Sequence, residues 1–301
     1  MHYRQFPMER GVRTLLSLLL VGLLVLQSSW FFLFMFLMAG AMVFSGIYGS
    51  RREWLTWIGM LIGVAVFADL RARMGPIVEA HTFFQYPIHL ETLGGALVVP
   101  TVWLQNPLLS GFLEAPLVAV YLSYFLVPQL VAIFLWREGG PFPRYVVAAC
   151  LLFGTALLVH FFLPTAPPWM ASQEGVIPAI DRVIIRVLSE TFPELTAGGY
   201  AASANDVAAM PSVHQGLTVL AMIALGKHDP RTRLTGWLYA TLMLFAITYL
   251  GEHYVVDGLA GAAVAWGAWT FAGKFQSRSS HTGTGIRQES AGTLGAPGSG
   301  P

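Results

Sequence analysis

The amino-acid sequence predicts an all-α protein, a polytopic bundle of helices that crosses a membrane about eight times. Two observations carry that expectation. Hydrophobic residues make up 55% of the 301 and charged residues only 11%, whereas a soluble globular chain has about a quarter of its residues charged. Several apolar runs also approach the ~20 residues a helix needs to cross the hydrocarbon core. They are apolar throughout and lack the period-two alternation of barrel strands.

Spans are expected at 12–26, 30–48, 54–70, 116–136, 145–163, 212–225, 234–250 and 253–271. The first follows Arg10 and Arg13 and imitates a signal peptide. It continues through Gln27-Ser28-Ser29 into a second apolar run without a small-x-small cleavage site, so it is read as a membrane anchor. The Gln27-Ser28-Ser29 break separates two spans, or else the two runs form one long tilted helix. Positive charge favours separation. With a cytoplasmic N-terminus, Arg4, Arg10, Arg13, Arg51, Arg52, Arg137, Arg144, Lys227, Arg231, Arg233, Lys274, Arg278 and Arg287 fall inside, and only Arg71, Arg73, Arg182 and Arg186 fall outside. Lys and Arg concentrate on the cytoplasmic side of membrane proteins, so this bias fits an even number of spans with both termini inside.

Two long segments then face outward, 71–115 and 164–211. The first is rich in aromatic and apolar residues punctuated by Pro76, Pro87, Pro100 and Pro107, which suits short helices lying at the bilayer interface. The second opens with Pro164-Thr165-Ala166-Pro167-Pro168-Trp169 and carries an amphipathic stretch over 181–188. Beyond Phe275 the chain is rich in Ser, Gly and Thr, so 276–301 is expected to be a disordered cytoplasmic tail. Cys150 is the single cysteine and says nothing of redox compartment. The net charge of +1 and the lack of a basic run give no case for a nucleic-acid partner.

Chemistry concentrates in two places. Met210-Pro211-Ser212-Val213-His214-Gln215-Gly216 and Gly251-Glu252-His253-Tyr254-Val255-Val256-Asp257-Gly258 each put ionisable residues at the outer mouth of an apolar run, where polar side chains are costly and usually functional. Both open spans on the same side, so His214 and His253 are expected at one depth. On a continuous helix His253 and Asp257 would lie about 40° apart around the axis. A carboxylate there can accept a hydrogen bond from one imidazole nitrogen and leave the other free to attack. Pro211 and Ser212 suit a helix start, whose free N–H groups favour a phosphate; Ser212 is either a plain cap or a phosphate contact. Gly261 continues the face of Asp257 and permits close approach of a neighbouring helix. Two histidines, one carboxylate and helix-start donors suit phosphoryl transfer. In that scheme His253 attacks, Asp257 orients it, His214 moves the proton, and neither a metal nor a cofactor is required.

These residues also carry a family resemblance. Ala209-Met210-Pro211-Ser212-Val213-His214 resembles the second motif of the type 2 phosphatidic acid phosphatase (PAP2) superfamily, and His253-Tyr254-Val255-Val256-Asp257 resembles its third. The Pro164 to Trp169 stretch, the His253-Tyr254 pair and Pro100-Thr101-Val102-Trp103-Leu104-Gln105 are more similar to the inositol phosphorylceramide synthase branch and its bacterial relatives. The resemblance covers roughly 90–273. It implies a six-helix PAP2-like core, here the last six spans over 54–275 behind the two N-terminal helices read over 1–53, with a metal-independent His-His-Asp site facing out of what is expected to be a bacterial cytoplasmic membrane. The implied substrate is a phospholipid or lipid-linked phosphate, with an alcohol or water as acceptor. The sequence departs from the family's phosphatases at Ile247, where they usually carry an Arg, and no basic pair precedes Pro164. This loss favours phosphotransfer over simple hydrolysis. Arg182 and Arg186 are the candidate replacements, against a reading in which they form a headgroup-facing stripe; Arg71 and Arg73 rank behind them. Pro168 and Trp169 either shape the substrate mouth or simply end a span with an interfacial aromatic. Relatives often have a histidine at the position of Tyr124. A lipid phosphate or polyprenyl diphosphate phosphatase is the alternative activity, and a catalytically silent scaffold or lipid transporter is the alternative class.

Overall fold

The computed structural model describes residues 7–26, 36–105, 111–193 and 205–289. Thirteen helices occupy them, with no strand beyond isolated bridges among the described residues. In chain order they are α1 (Pro7–Leu26), α2 (Phe36–Tyr48), α3 (Arg51–Val78), α4 (Gln85–Glu91), α5 (Pro100–Leu104), α6 (Glu114–Leu122), α7 (Val127–Arg137), α8 (Phe142–Phe162), α9 (Pro168–Gln173), α10 (Val183–Thr191), α11 (Val213–His228), α12 (Arg233–Tyr249) and α13 (Val255–Glu289). Every expected span contains a helix. The Gln27-Ser28-Ser29 break lies outside the described residues.

α3, α8 and the apolar part of α13 are each long and apolar enough to cross a membrane; α6 and α7, bent by 44°, form a fourth crossing if taken as one span. α11 and α12, at 16 and 17 residues, are shorter. Leu158, Phe162, Leu234, Leu238 and Trp266 are exposed on the outer surface of the bundle, where lipid and not water is their natural neighbour. The protein is an integral membrane protein.

Local chemistry sets the element boundaries. α3 begins with a capping box in which Ser50 Oγ accepts from Glu53 N at 3.3 Å and Glu53 Oε2 accepts from Ser50 N at 2.6 Å. It runs eight residues past the expected end at residue 70, because the arginines that mark the edge of the apolar run do not interrupt a hydrogen-bond ladder. Arg71 and Arg73 therefore stand on a helix. The bend between α6 and α7 follows the turn Ser123–Phe125 and precedes Pro128, which cannot donate to the preceding turn. At the far end α13 continues to Glu289. The change at Phe275 is thus one of composition, since intrahelical bonds need no apolar face, and 290–301 lie outside the described residues.

α11 is the hub, packed against α13, α12, α8 and α7, while α3 packs on α8 and α2. Its contact with α13 is made by glycines. A Cβ on Gly261 would collide with the carbonyl of Ser212, and one on Gly216 would meet the Gly261 carbonyl at 3.0 Å, so the two backbones touch beside the two histidine motifs.

Outside the bundle the Pro164 segment threads between two others. Phe83 N donates to Pro164 O at 2.8 Å, Ala166 N to Phe83 O at 3.1 Å, Thr165 N to Val207 O at 2.7 Å, and Ala209 N to Thr165 O at 3.3 Å. The proline-rich stretch is therefore more than a helix terminator. It is the middle member of a three-segment bridge that fixes the approach to His214.

Candidate active site

Ser212 caps α11, its Oγ accepting from Gln215 N at 3.3 Å, and its own N–H donates to the carbonyl of Asp257 at 2.9 Å. That bond joins the start of α11 to the first turn of α13. His214, in the first turn of α11, has its ring 5.7 Å from that of His253, centroid to centroid. Tyr121 and Tyr124, three apart across the end of α6, each lie 4.3 Å from the His214 ring. The aromatic packing holds the ring in place, and its buried Nε2 has no hydrogen-bond partner among the described residues.

His253 is only 6% exposed and Asp257 fully buried. Their geometry differs from the expected one. Nδ1 of His253 lies 2.9 Å from the carbonyl oxygen of Ala209, while Asp257 Oδ2 is 3.7 Å away. A carbonyl only accepts, so Nδ1 carries the proton and Nε2 holds the lone pair; the tautomer is assigned by this bond. Asp257 acts on the ring through charge at short range, and its Oδ2 accepts from Tyr254 N at 2.9 Å. α13 begins at Val255, so His253 precedes the helix and its side chain is not governed by helical spacing.

The turn before His253 is held from several directions. Gly251 has φ +79°, a conformation that favours glycine, and its carbonyl accepts from Trp169 N at 3.1 Å. Gln105 Nε2 donates to Tyr249 O at 2.7 Å, and Thr101 Oγ1 donates to Thr248 O at 3.1 Å, which gives the Pro100 to Gln105 motif a structural role. Arg182 stacks over Trp169 at 4.0 Å and pairs with Glu252 at 2.8 Å and Asp206 at 3.4 Å. Pro168, buried, opens α9 beneath this group.

His214, His253, Asp257 and Ser212 thus form one cluster, with Trp169, Pro168 and Arg182 beside it. Arg186 is placed differently, bound to Glu114 at 2.8 Å and to Asp181 at 2.5 Å. The hydrogen bonds it donates to those two carboxylates hold its guanidinium above its ordinary pKa.

The sequence favours interfacial positions for His160 and Glu91 and leaves Glu252 out of the mechanism; the structure gives all three a place at the site. His160 is buried, and its Nε2 lies 3.2 Å from Pro211 O. Glu252, next to His253 in the chain, anchors Arg182. Glu91 is the least expected. Its two oxygens accept from Val255 N at 2.9 Å and Val256 N at 3.0 Å, so a carboxylate from α4 caps the helix that carries Asp257. Burial pushes this carboxyl above its ordinary pKa, and the two backbone bonds oppose the shift. The only trace in the sequence is a lone acid in an apolar, aromatic segment. Glu91→Ala should orphan both donors and cost about 1–2 kcal/mol, as loss of a strong cap does, read as a lower melting temperature in detergent; Glu91→Gln, which keeps one acceptor, should lose less.

A family model for the PAP2 superfamily matches residues 97–271. The chain belongs to the PAP2 superfamily. That stretch holds both histidine motifs and the whole turn before His253. Among curated proteins, the chain is similar to the inositol phosphorylceramide synthase catalytic subunit aur1 of Schizosaccharomyces pombe, at 28% identity over 174 residues, 55% of this chain and 41% of that protein. It is also similar to the inositol phosphorylceramide synthase of Candida albicans, at 26% identity over 162 residues, 49% of this chain and 33% of that protein. The matches thus take in less than half the length of either relative. No solved structure matches this PAP2 chain.

Proposed function

We propose that this PAP2 protein transfers a phosphoryl group or phospho-headgroup from a lipid to an acceptor alcohol through a covalent intermediate on His253. The observation that carries the reading is the pairing of two imidazoles 5.7 Å apart, one with its Nδ1 committed to a backbone carbonyl and its Nε2 free to attack. Nε2 attacks phosphorus, the bond from phosphorus to the leaving oxygen breaks, and His214 gives that oxygen a proton. The positive charge on the phosphorylated ring is balanced by the Asp257 carboxylate at 3.7 Å. His214 then takes the proton of the acceptor hydroxyl, whose oxygen attacks phosphorus and releases His253. Ser212, at the start of α11, offers the phosphate a helix N-terminus. Trp169, Pro168 and Arg182 form the wall of the substrate mouth.

The names of the two relatives describe a synthase that joins a phosphorylated inositol to ceramide, which is transfer to a hydroxyl group, and this supports transfer over hydrolysis here. The arginine distribution supports a site on the outer side of the membrane with both termini inside. Acceptor dependence tests the proposal. Purified protein given a lipid phosphodiester should turn over at least ~10-fold faster with a lipid alcohol present than without, as expected where the alcohol is the acceptor bound in position and water is not. Release of free phosphate or phospho-headgroup at full rate in water alone would make the protein a hydrolase using the same residues.

A further inference from the structure

A phosphate between His214 and His253 brings negative charge to a site that already holds Asp257, and the family's third-motif Arg is replaced by Ile247, which is fully buried in apolar packing. Some cation must face the developing charge. Four arginines stand on the outer side. Arg73 is paired with Asp69 at 2.8 Å on the exposed face of α3. Arg186 is bound by Glu114 and Asp181, and Arg182 by Glu252 and Asp206; for either to take a phosphate, carboxylates already in place would have to be displaced.

Arg71 differs from all three. Among the described residues its side chain makes no ion pair with a carboxylate and hydrogen-bonds only to a backbone carbonyl, from Nη2 to Asn205 O at 3.0 Å. A guanidinium has five N–H donors, so most of this one is uncommitted. Its position is fixed from the other side as well, because Asn205 Nδ2 donates to Arg71 O at 3.1 Å, and Asn205 is only 2% exposed. Asn205 opens the segment that continues through Val207 to Ala209, whose carbonyl holds His253. The helix bearing Arg71 is therefore clamped to the strip of backbone that orients the nucleophile. Its charge is also near enough to act on His214, His160 and Tyr124.

We propose that Arg71, on α3 and outside the stretch that matches the family, is the phosphate-binding cation of this site, oriented by its two-way hydrogen bonding with Asn205. The proposal rests on the phosphoryl-transfer reading and adds a residue to it. The N-terminal part of the chain then completes the active site, and Arg71 takes the place left by Ile247. The residue contacts the transferred group and carries no proton in the reaction.

The test compares Arg71→Gln, Arg71→Lys and Arg73→Gln with the wild type, using lipid turnover and inhibition by the phosphate analogue vanadate. Arg71→Gln should lower kcat/KM by about 10²-fold, the scale of removing one charge-stabilising donor, and weaken vanadate inhibition about tenfold. Arg71→Lys should restore part of both, and Arg73→Gln should match the wild type. A folded Arg71→Gln protein that equals the wild type in turnover and in vanadate inhibition overturns the assignment of Arg71 alone. A wild type that neither converts lipid phosphates nor responds to vanadate overturns the phosphoryl-transfer reading beneath it. If Arg71→Gln does not fold, the wild type still decides: vanadate should slow phenylglyoxal modification of Arg71 and leave that of Arg73 unchanged. Unprotected Arg71 in a vanadate-inhibited enzyme refutes the proposal.

Discussion

His253→Asn should reduce lipid conversion by about 10⁴-fold or more, the scale of losing a nucleophile. The asparagine amide can stand where Nδ1 does and still donate to Ala209 O, so the fold of the turn is kept while Nε2 is removed. His214→Gln should behave differently. It removes a proton carrier, whose contribution is about 10²–10⁴-fold, and leaves the nucleophile intact. With a natural alkoxide leaving group both variants are slow. With a p-nitrophenyl phosphodiester, whose leaving group departs without a proton, His214→Gln should recover in the first step and accumulate the intermediate, while His253→Asn should not. A donor labelled at phosphorus, quenched in base because phosphohistidine is acid-labile, reads this directly. Label retained by His253→Asn would remove the nucleophile from its place in the mechanism.

The second large effect is expected at Gly261. Any side chain there drives into the Ser212 carbonyl, and neither backbone can retreat without lengthening the bond from Ser212 N to Asp257 O, now 2.9 Å. Overpacking of this kind costs about 1–3 kcal/mol and occasionally more. Gly261→Leu should fall at or above that upper end, seen as a lower melting temperature in detergent, with activity lost even in the fraction that folds, since both histidine motifs move apart. Gly267 on the same helix has open space around its Cβ position. Gly267→Ala should leave activity unchanged, and equal tolerance at the two positions would show that close approach at Gly261 is not required.

Composition made membrane embedding legible, because lipid accommodates so much apolar surface, and the unbroken apolar runs made the class helical. The sequence also made the two histidine motifs legible, along with Gly261, since small residues at a helix crossing follow from spacing. It did not show where α3 ends, because charge marks the edge of a membrane and not the end of a hydrogen-bond ladder. The cap on α13 was hidden for a different reason. Glu91 lies 164 residues from Val255, and a contact across that distance leaves no local pattern. Helical geometry, which begins only at Val255, brings Asp257 closer to His253 than the 3.7 Å observed. The sequence does not rank the four outer arginines either, because which of them is paired with a carboxylate depends on the three-dimensional arrangement.

The bond from His253 Nδ1 to the Ala209 carbonyl has a consequence for how such a protein can change over evolutionary time. The group that sets the tautomer of the proposed nucleophile belongs to the main chain, and every amino acid supplies the same oxygen. Substitution at residue 209 therefore leaves the acceptor chemically in place, and what limits the position is the buried space around Ala209, 3% exposed, and the bond from its N–H to Thr165 O. An insertion or deletion between Asn205 and Ser212 has the opposite character. It would shift that oxygen out of register with the ring without altering any of the three residues His214, His253 and Asp257. The length of this short segment is thus a requirement of the site in its own right, beside the side chains of Asn205 and Ser212 at its two ends.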